Sequence, residues 1–366
     1  MTRTRAVLII GTGAFAKNLV RGLAARSSGP VLVHIASADL GRSRELAALG
    51  NALAACANGP ARFEGLLHDS RSTADLRPFL TRYRPDVLAV CSSDISAADL
   101  HGTPSAWRDL LNEAGLSATL PFQTTVALRC ARAAAEADTG TAVVNACFPD
   151  AVNPLIHAAG APVLCGLGNV ATLATAVRGA LPLEDESRLK LLAHHGHLHT
   201  PPDGWEAQVW LDDNPVQDAA ELLSHARAQP RSDLNETGAV AAAAVVDAIA
   251  HDLDYLDCHL PGPQGRPGGY PAVVTRRSVC LRLPPGMPER QAVAMNNRWS
   301  ALDGITVDPT GTARFTPDVL RRVREDWPDA PDAFTAHHVE DLRAELIPLR
   351  DRLRRQPSSS RREPAS

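Results

Sequence analysis

The chain has 366 residues, of which 45% are hydrophobic and 21% are charged, and this balance is typical of a globular protein rather than a disordered or collagen-like one. At ~100–200 residues per domain, the length predicts two domains or one two-lobed unit. A formal net charge of -4 argues against nucleic acid as the main partner, and no apolar run reaches the ~20 residues that a membrane helix needs. The 7 cysteines form no CxxC pair, so we expect a reducing, cytoplasmic location.

The N-terminal part alternates strand-like and helix-like segments. Short apolar, β-branched runs predict strands at 7–10, 31–37, 86–91 and 142–146. Apolar residues at helical spacing predict helices between them, at 15–25, 72–83 and 122–137. This alternation predicts parallel βαβ units, and therefore a Rossmann-type doubly wound parallel sheet over residues 1–165.

From about residue 166 the pattern changes to that of an α+β catalytic domain, residues 166–350. Helices are predicted at 169–181, 237–249 and 334–355, and strands around 189–199, 208–211, 272–275 and 278–283. The Gly/Pro-dense segment 260–271 is predicted to be an irregular loop. The Pro/Ser/Arg-rich residues 351–366 have too little apolar content to order and are predicted to be a disordered tail.

A glycine-rich turn follows the first predicted strand and opens the first helix. Its residues fit the GxGxxG/A pattern, in which the first glycine makes the tight turn, the second lets a pyrophosphate approach the backbone, and the last small residue permits close packing. The N–H groups of the helix N-terminus would then bind the phosphates. We assign this turn to dinucleotide binding, through Gly11, Thr12, Gly13, Ala14, Phe15 and Ala16.

The end of the second strand bears on the choice between NAD and NADP. An NAD-binding protein usually carries an acidic residue there, about 20 residues past the glycines, but this position falls on Ala36 or Ser37, with Asp39 slightly later. Ser37, Arg42 and Arg44 could instead hold a 2′-phosphate, because guanidinium matches phosphate geometry. The alternative is that both arginines belong to a solvated helix start. We expect NADP or NAD, with NADP slightly favoured.

Polar residues at the carboxyl ends of parallel strands face the ligand crevice. Asn145 ends a predicted strand and could bind a substrate oxygen or the nicotinamide, or it could simply cap the strand. Ser92 follows the strand-like run that ends at Cys91 and is assigned to the cofactor site. Cys147 is predicted to be a small buried hydrophobe, since no activating partner is evident.

The segment 194–199, His-His-Gly-His-Leu-His, is the densest histidine cluster of the chain. On an extended segment, His195, His197 and His199 would share one face and could bind a metal. Metal motifs usually add Cys, Asp or Glu ligands at defined spacing and none is adjacent, so we predict no metal. A histidine here could instead be a general acid/base, or the segment could be an exposed polar strand.

The order of these motifs resembles the lactate/malate dehydrogenase superfamily. It runs from the Gly11 turn through the strand-end Asn145, the segments 149–154 and 163–169, and Ala193-His194-His195-Gly196. The resemblance spans roughly residues 5–255. It implies that His195 is the catalytic proton donor and acceptor and that Asn145 lies at the nicotinamide–substrate junction. It also implies association of subunits, for which the Ala-rich face of 237–249 offers close helix packing.

Two departures from the family pattern bear on the substrate. Where the family carries an Asp that orients the histidine and, three residues later, an Arg that binds the substrate carboxylate, this chain has Thr172 and Thr175. No equivalent of the family's active-site loop arginine is evident in 92–106. We therefore do not expect turnover of ordinary lactate or malate. The remaining substrate-binding candidates are Asn169, His197 and Tyr270; Tyr270 lies in the Gly/Pro-dense segment, which is either the border of the pocket or a structural connector.

These features predict an NAD(P)-dependent oxidoreductase. A hydride would pass to or from a carbonyl or imine carbon of a small substrate, for which a compound of secondary metabolism is one option. His195 would donate or accept the proton. Two alternatives stay open: an opine- or imine-type reductase, and a catalytically silent dinucleotide-binding sensor that kept the cofactor site.

Overall fold

A computed structural model describes residues 4–71, 75–95, 99 and 102–358 of the chain. Strands are β1 (Arg5–Ile10), β2 (Val31–Ser37), β3 (Ala61–Leu67), β4 (Val87–Val90), β5 (Ala142–Asn145), β6 (Cys165–Gly166), β7 (Leu189–Leu192), β8 (Gln208–Leu211), β9 (Asn214–Pro215), β10 (Leu256–Pro261), β11 (Gly269–Thr275), β12 (Ser278–Leu281), β13 (Ile305–Val307), β14 (Ala313–Phe315) and β15 (Ala333–Phe334). Helices are α1 (Ala14–Arg26), α2 (Leu40–Cys56), α3 (Arg77–Tyr83), α4 (Ala106–Ala114), α5 (Leu120–Ala137), α6 (Pro149–Ala158), α7 (Val170–Ala180), α8 (Ala219–Arg227), α9 (Arg231–His251), α10 (Glu289–Trp299), α11 (Pro317–Asp326) and α12 (Val339–Arg354). No helix in this described part is long and apolar enough to cross a membrane.

A six-stranded parallel sheet forms the N-terminal half, in the order β3-β2-β1-β4-β5-β6. The central strands β1 and β4 are apolar and buried, as expected for a parallel sheet covered by helices on both faces. Large apolar cores lie on the two faces of the sheet. The predicted Rossmann-type fold class is confirmed.

The sequence pattern missed α2 and β3. Asp39 caps α2, since its side chain accepts a hydrogen bond from the N–H of Arg42. The helical pattern of α2 is weak because small residues occupy much of its buried face. Of the predicted helix 72–83, the structure shows α3 from Arg77, and residues 72–74 lie outside the described residues.

Three small antiparallel sheets follow, β7-β8-β9, β10-β11-β12 and β13-β14-β15, as expected for an α+β region. The prediction of an irregular loop over 260–271 was wrong at both ends, because Leu260 and Pro261 belong to β10 and Gly269 to Pro271 belong to β11. Only the part between them turns, and its three glycines at 262, 265 and 268 all have positive φ.

The second half packs back onto the first. The Ala-rich face of α9 lies against α1, where a side chain at Gly22 would meet Val240 and Ala243. This face is therefore packed against α1 within the chain, and the association of subunits stays a prediction. Any homo-oligomer would need a different surface.

The C-terminal helix also contacts the first half. An ion pair joins Arg129 of α5 to Glu340 of α12 at 2.6 Å. Helix α12 continues to Arg354 with Leu353 buried, so the start of the predicted tail is ordered; residues 359–366 lie outside the described residues.

Candidate active site

The glycine-rich turn lies at the carboxyl end of β1. Gly11 has φ 111°, and a Cβ there would lie 2.8 Å from the carbonyl oxygen of Cys91, so only glycine fits. Gly13 caps α1, and a Cβ there would meet no protein atom within 4 Å. The first turn of α1 carries no acidic side chain, and Ala16 is fully buried. The open space above Gly13 and the free helix N-terminus fit a dinucleotide pyrophosphate.

Other cofactor candidates surround this turn. Ser92 lies beside Gly11, with its Cβ 3.0 Å from where a Gly11 Cβ would be. The Ser37 hydroxyl already forms hydrogen bonds within the protein, to the Asp39 carbonyl and to the Ser43 hydroxyl, each at 2.8 Å. Arg42 and Arg44 are exposed on the first turns of α2.

Asn145 is buried at the end of β5 with its side chain engaged by protein groups. Its Nδ2 donates to the Cys147 carbonyl at 3.1 Å and to Asn153 Oδ1 at 2.9 Å, and its Oδ1 accepts the Cys147 N–H at 2.9 Å. This arrangement is that of a strand-end cap, in which the fully buried amide bonds to protein groups through both Nδ2 and Oδ1. Burial raises the pKa of the Cys147 thiol to about 12, as suits a buried hydrophobe.

His195 forms a buried pair with Asp303, a residue that the sequence patterns did not single out. The ring Nδ1 lies 2.7 Å from Asp303 Oδ1, while Nε2 makes no hydrogen bond to any described residue. The His195 side chain is 15% exposed and that of Asp303 is 10% exposed, so Nε2 remains accessible while the carboxylate is shielded. The Nδ1–carboxylate contact fixes the tautomer in which Nδ1 carries the proton and Nε2 is the unbonded ring nitrogen.

The charges of this pair stabilise each other. Burial lowers the pKa of His195, but the nearby Asp303 and Asp150 outweigh burial and raise that pKa above its ordinary value. Burial likewise opposes ionisation of Asp303, yet contact with His195 and His194 holds the pKa of Asp303 well below its usual range. His194 Nδ1 lies 2.9 Å from Asp303 Oδ2, outside hydrogen-bond geometry. The site can therefore hold a proton on His195 against an ionised Asp303.

Two close approaches allow this geometry. His195 begins a 3-10 helix, His195–Leu198, and Asp303 ends another, Ser300–Asp303. A Cβ on Gly196 would lie 2.5 Å from the Cβ of Leu302, so the glycine lets the two turns touch. The Phe148 ring also packs edge-on against the imidazole, at 5.2 Å between centroids.

Asp150 connects the histidine to the dinucleotide turn. Its Oδ1 accepts the His195 N–H at 3.0 Å, and its Oδ2 accepts a hydrogen bond from Asn169 Nδ2. The preceding residue, Gly168, is adjacent to the Phe15 ring, which would lie 3.2 Å from a Cβ there. A chain of contacts through Asp150 and Gly168 thus connects His195 and Asn169 to Phe15.

Two predicted substrate ligands have no free polar atom in this arrangement. His197 is fully buried; its Nδ1 accepts the His194 N–H at 2.8 Å and its Nε2 donates to the Trp205 carbonyl at 2.8 Å. Burial lowers the pKa of His197 to about 4, so this imidazole is neutral. Tyr270 is also buried, and its hydroxyl donates to the Pro267 carbonyl at 2.7 Å. Both side chains serve the fold here.

The extended histidine segment that would have presented three rings on one face is not seen, because residues 195–198 form a 3-10 helix. Within the described ranges, no group of three or more His, Cys, Asp or Glu side chains is arranged to hold a metal ion. Thr172, where the family pattern has an acid, is buried against Gly238 of α9. The orienting carboxylate comes instead from Asp303, more than a hundred residues later.

Sequence reasoning missed Asp303, Asp150 and Phe148. Asp150 was visible as the acid in the first turn of the helix that follows the strand-end Asn145, within the segment 149–154. Asp303 had no signal, since Leu302-Asp303-Gly304 reads as an ordinary turn.

No family model and no curated protein matches the chain. Solved structures do match. The malate dehydrogenase from Salinibacter ruber has a TM-score of 0.53 at 13% identity, and the match covers 88% of this chain and 99% of that enzyme. A lactate dehydrogenase from Cryptosporidium parvum, solved with lactic acid and nicotinamide adenine dinucleotide, has a TM-score of 0.51 at 15% identity over 83% and 98% of the two chains. The malate dehydrogenase from Aeropyrum pernix has a TM-score of 0.51 at 15% identity, and the match covers 81% of this chain and 97% of that enzyme. The chain has the lactate and malate dehydrogenase fold. The resemblance seen in the sequence is confirmed at the level of the fold.

Proposed function

We propose that this chain is an NAD(P)-dependent oxidoreductase that acts on a carbonyl or imine carbon of a small substrate. The observation that carries this proposal is the His195–Asp303 pair, whose Nε2 is not bonded to any described residue and which Asp150 and Asn169 connect to the segment beside Phe15 of the glycine-rich turn. A nicotinamide dinucleotide, when bound, supplies or accepts the hydride. The fold shared with lactate and malate dehydrogenases supports this function.

His195 handles the proton. In reduction, the protonated imidazole donates the Nε2 proton to the substrate oxygen or nitrogen as that atom gains electron density, and the ring becomes neutral. In oxidation, the neutral ring takes the same proton back. Asp303 accepts the Nδ1–H throughout and stabilises the imidazolium form, because its carboxylate is buried and ionised.

We propose that the substrate is not ordinary lactate or malate. Thr175 supplies no guanidinium where the family pattern has an arginine, so bidentate recognition of a carboxylate is absent at that position. Bulkier or amino-bearing carbonyl and imine compounds, such as those of secondary metabolism, are the first to test.

The cofactor form is also a proposal. Arg42 and Arg44 support NADP, because they are exposed on the first turns of α2, directly after the strand end that approaches the adenosine ribose in this fold. Asp39 is on the same turn and carries the opposite charge, so NAD also fits.

The test combines binding and turnover. Wild type is titrated with NADH and NADPH by calorimetry and then assayed with a panel of carbonyl and imine compounds. His195→Asn should lower turnover at least ~10²-fold with cofactor affinity unchanged. His225→Asn, an exposed histidine on α8, is the matched control and should behave as wild type.

Three results would count against the proposal. Absence of NADH and NADPH binding to the folded protein removes the dinucleotide assignment. A fully active His195→Asn variant with the true substrate removes the proton-transfer assignment. Cofactor binding with no turnover across the panel favours the silent sensor instead.

A further inference from the structure

His194 is a buried histidine whose ring has no hydrogen-bond partner. Its side chain is 1% exposed, and neither ring nitrogen forms a hydrogen bond with any described residue. Its backbone is fixed, because the N–H donates to His197 Nδ1 at 2.8 Å and the carbonyl accepts the His197 N–H at 2.9 Å. That second ring is neutral, since burial lowers the pKa of His197 to about 4. A buried imidazole with two unpaired nitrogens is costly and needs an explanation.

The ring of His194 faces the second carboxylate oxygen of Asp303. Oδ1 of Asp303 contacts His195, whereas Oδ2 is buried and has no hydrogen-bond partner among the described residues. His194 Nδ1 lies 2.9 Å from Oδ2, which is a hydrogen-bond distance, and only the direction of the ring is unfavourable. A small rotation of the ring would align donor and acceptor and satisfy both atoms. The two oxygens of one carboxylate therefore face two different imidazoles.

We propose that His194 is a positioning residue for the proton-transfer pair. Its neutral ring donates the Nδ1–H to Oδ2 of Asp303 and so keeps Oδ1 on His195. This proposal rests on the proposed function and deepens it, because it names a group that sets the proton affinity of the acid/base. A carboxylate that accepts a second hydrogen bond is a weaker partner for the imidazolium, since its charge is shared between the two donors. His194 thereby keeps His195 acidic enough to give up its proton.

Other charged groups around His195 form the background of this effect. Burial lowers the pKa of His195, Asp303 and Asp150 raise it, and Arg231 lowers it. The nearby His199 accepts a hydrogen bond from Arg231 through Nε2 at 2.7 Å, and burial and that cation lower the pKa of His199. None of these groups is altered in the variants used to test the proposal. A change in the titration of His195 in those variants therefore reports on the second imidazole alone.

The test is an NMR titration of the histidines in the nitrogen-labelled full chain, with His195→Asn used to assign the His195 resonances. Asn and Leu are similar in shape and only Asn carries N–H donors, so His194→Asn and His194→Leu separate the hydrogen bond from packing. His194→Leu should raise the pKa of His195 by about 0.5 or more, because Asp303 then directs its charge at one imidazole. His194→Asn should restore most of the wild-type value.

A second measurement uses wild type alone, so it decides the proposal even if His194→Leu does not fold. At pH ~8, where an imidazole of ordinary pKa is neutral, the nitrogen chemical shifts of His194 should place the proton on Nδ1. His225→Leu, which removes an exposed imidazole of α8, is the control and should leave the titration of His195 unchanged. NADH affinity, measured by calorimetry, should be the same in wild type and in both His194 variants.

Three outcomes would overturn this proposal while leaving the proposed function intact. They are an unchanged or lowered pKa of His195 in His194→Leu, an equal change of that pKa in His194→Leu and His194→Asn, and a wild-type His194 whose neutral ring carries its proton on Nε2. Failure of the proposed function is recognised separately. If the protein binds neither NADH nor NADPH but the pKa of His195 responds to His194 as expected, the contact with Asp303 stands and its role in proton transfer is removed.

Discussion

The proposed dinucleotide turn and the proposed proton-transfer site are built in opposite ways. The turn is contiguous: six residues between β1 and α1 supply the tight bend, the open space at Gly13 and the helix N-terminus. The proton-transfer site is assembled from separate parts of the chain, with His195, Asp150 and Asp303 brought together by folding. A contiguous site depends on the backbone, and an assembled one depends on side chains held by distant packing.

The largest expected effect tests the contiguous site. Gly13→Val should abolish NAD(P)H binding, a loss of at least ~10³-fold, because its side chain would fill the space open to the pyrophosphate. Its unfolding transition should stay that of wild type, since a Cβ at this position meets no protein atom. Calorimetric titration and urea unfolding measure the two properties. Unchanged cofactor affinity would contradict the nucleotide-site assignment.

Turnover should fall when the charge of Asp303, which is distant from His195 in the sequence, is removed. Asp303→Asn should lower turnover by about 10²-fold, because the imidazolium loses its buried counter-ion. Only Asp150 would then oppose the effect of burial on His195, so the pKa of His195 should fall. Reduction requires the protonated ring, so its rate should decline at a lower pH than in wild type. A pH–rate profile measures this shift, and an unshifted profile would limit Asp303 to a structural role.

Within the histidine run, His195 is the proposed acid/base, whereas both ring nitrogens of His197 are bonded to the backbone. His197 has a folded-state pKa of about 4, below its unfolded value near ~6.5, so the unfolded chain binds the proton more readily. The neutral ring therefore contributes stability above pH ~6.5, and that contribution is lost as the pH falls toward 4, by about 3 kcal/mol at most. Urea unfolding at pH ~6.5 and at pH ~4 measures this effect. The free energy of unfolding should decrease less between the two pH values for His197→Gln than for wild type. Equal decreases in wild type and His197→Gln would contradict the interpretation of His197 as a buried neutral imidazole.

The smallest expected effect concerns which cofactor, NADPH or NADH, the glycine-rich turn and its neighbours bind. Replacing Arg42 and Arg44 together by Ala should weaken NADPH about 10-fold and leave NADH nearly unchanged, because only NADPH carries the 2′-phosphate. The helix start should persist, since Asp39 caps it through its own side chain. Equal losses for both cofactors would show that these arginines do not form a phosphate pocket.

Local patterns were enough for the fold class. The alternation of apolar strands and helices predicted the parallel sheet, and the glycine-rich turn was predicted with its context, because each needs only neighbouring residues. The helix α2 and strand β3 were missed, since small residues on the buried face of α2 blur its helical spacing.

The sequence by itself determined the dinucleotide turn, the fold class and His195 as the candidate acid/base. Only the tertiary structure placed Asp303 against His195, engaged the polar atoms of His197 and Tyr270 in hydrogen bonds with the backbone, and placed Arg231 beside His199. The physical reason is sequence separation. A backbone turn is specified by the φ/ψ preferences of consecutive residues, whereas Nδ1 of His195 and Oδ1 of Asp303 meet only because Gly196 allows the turn that ends at Asp303 to touch the histidine segment.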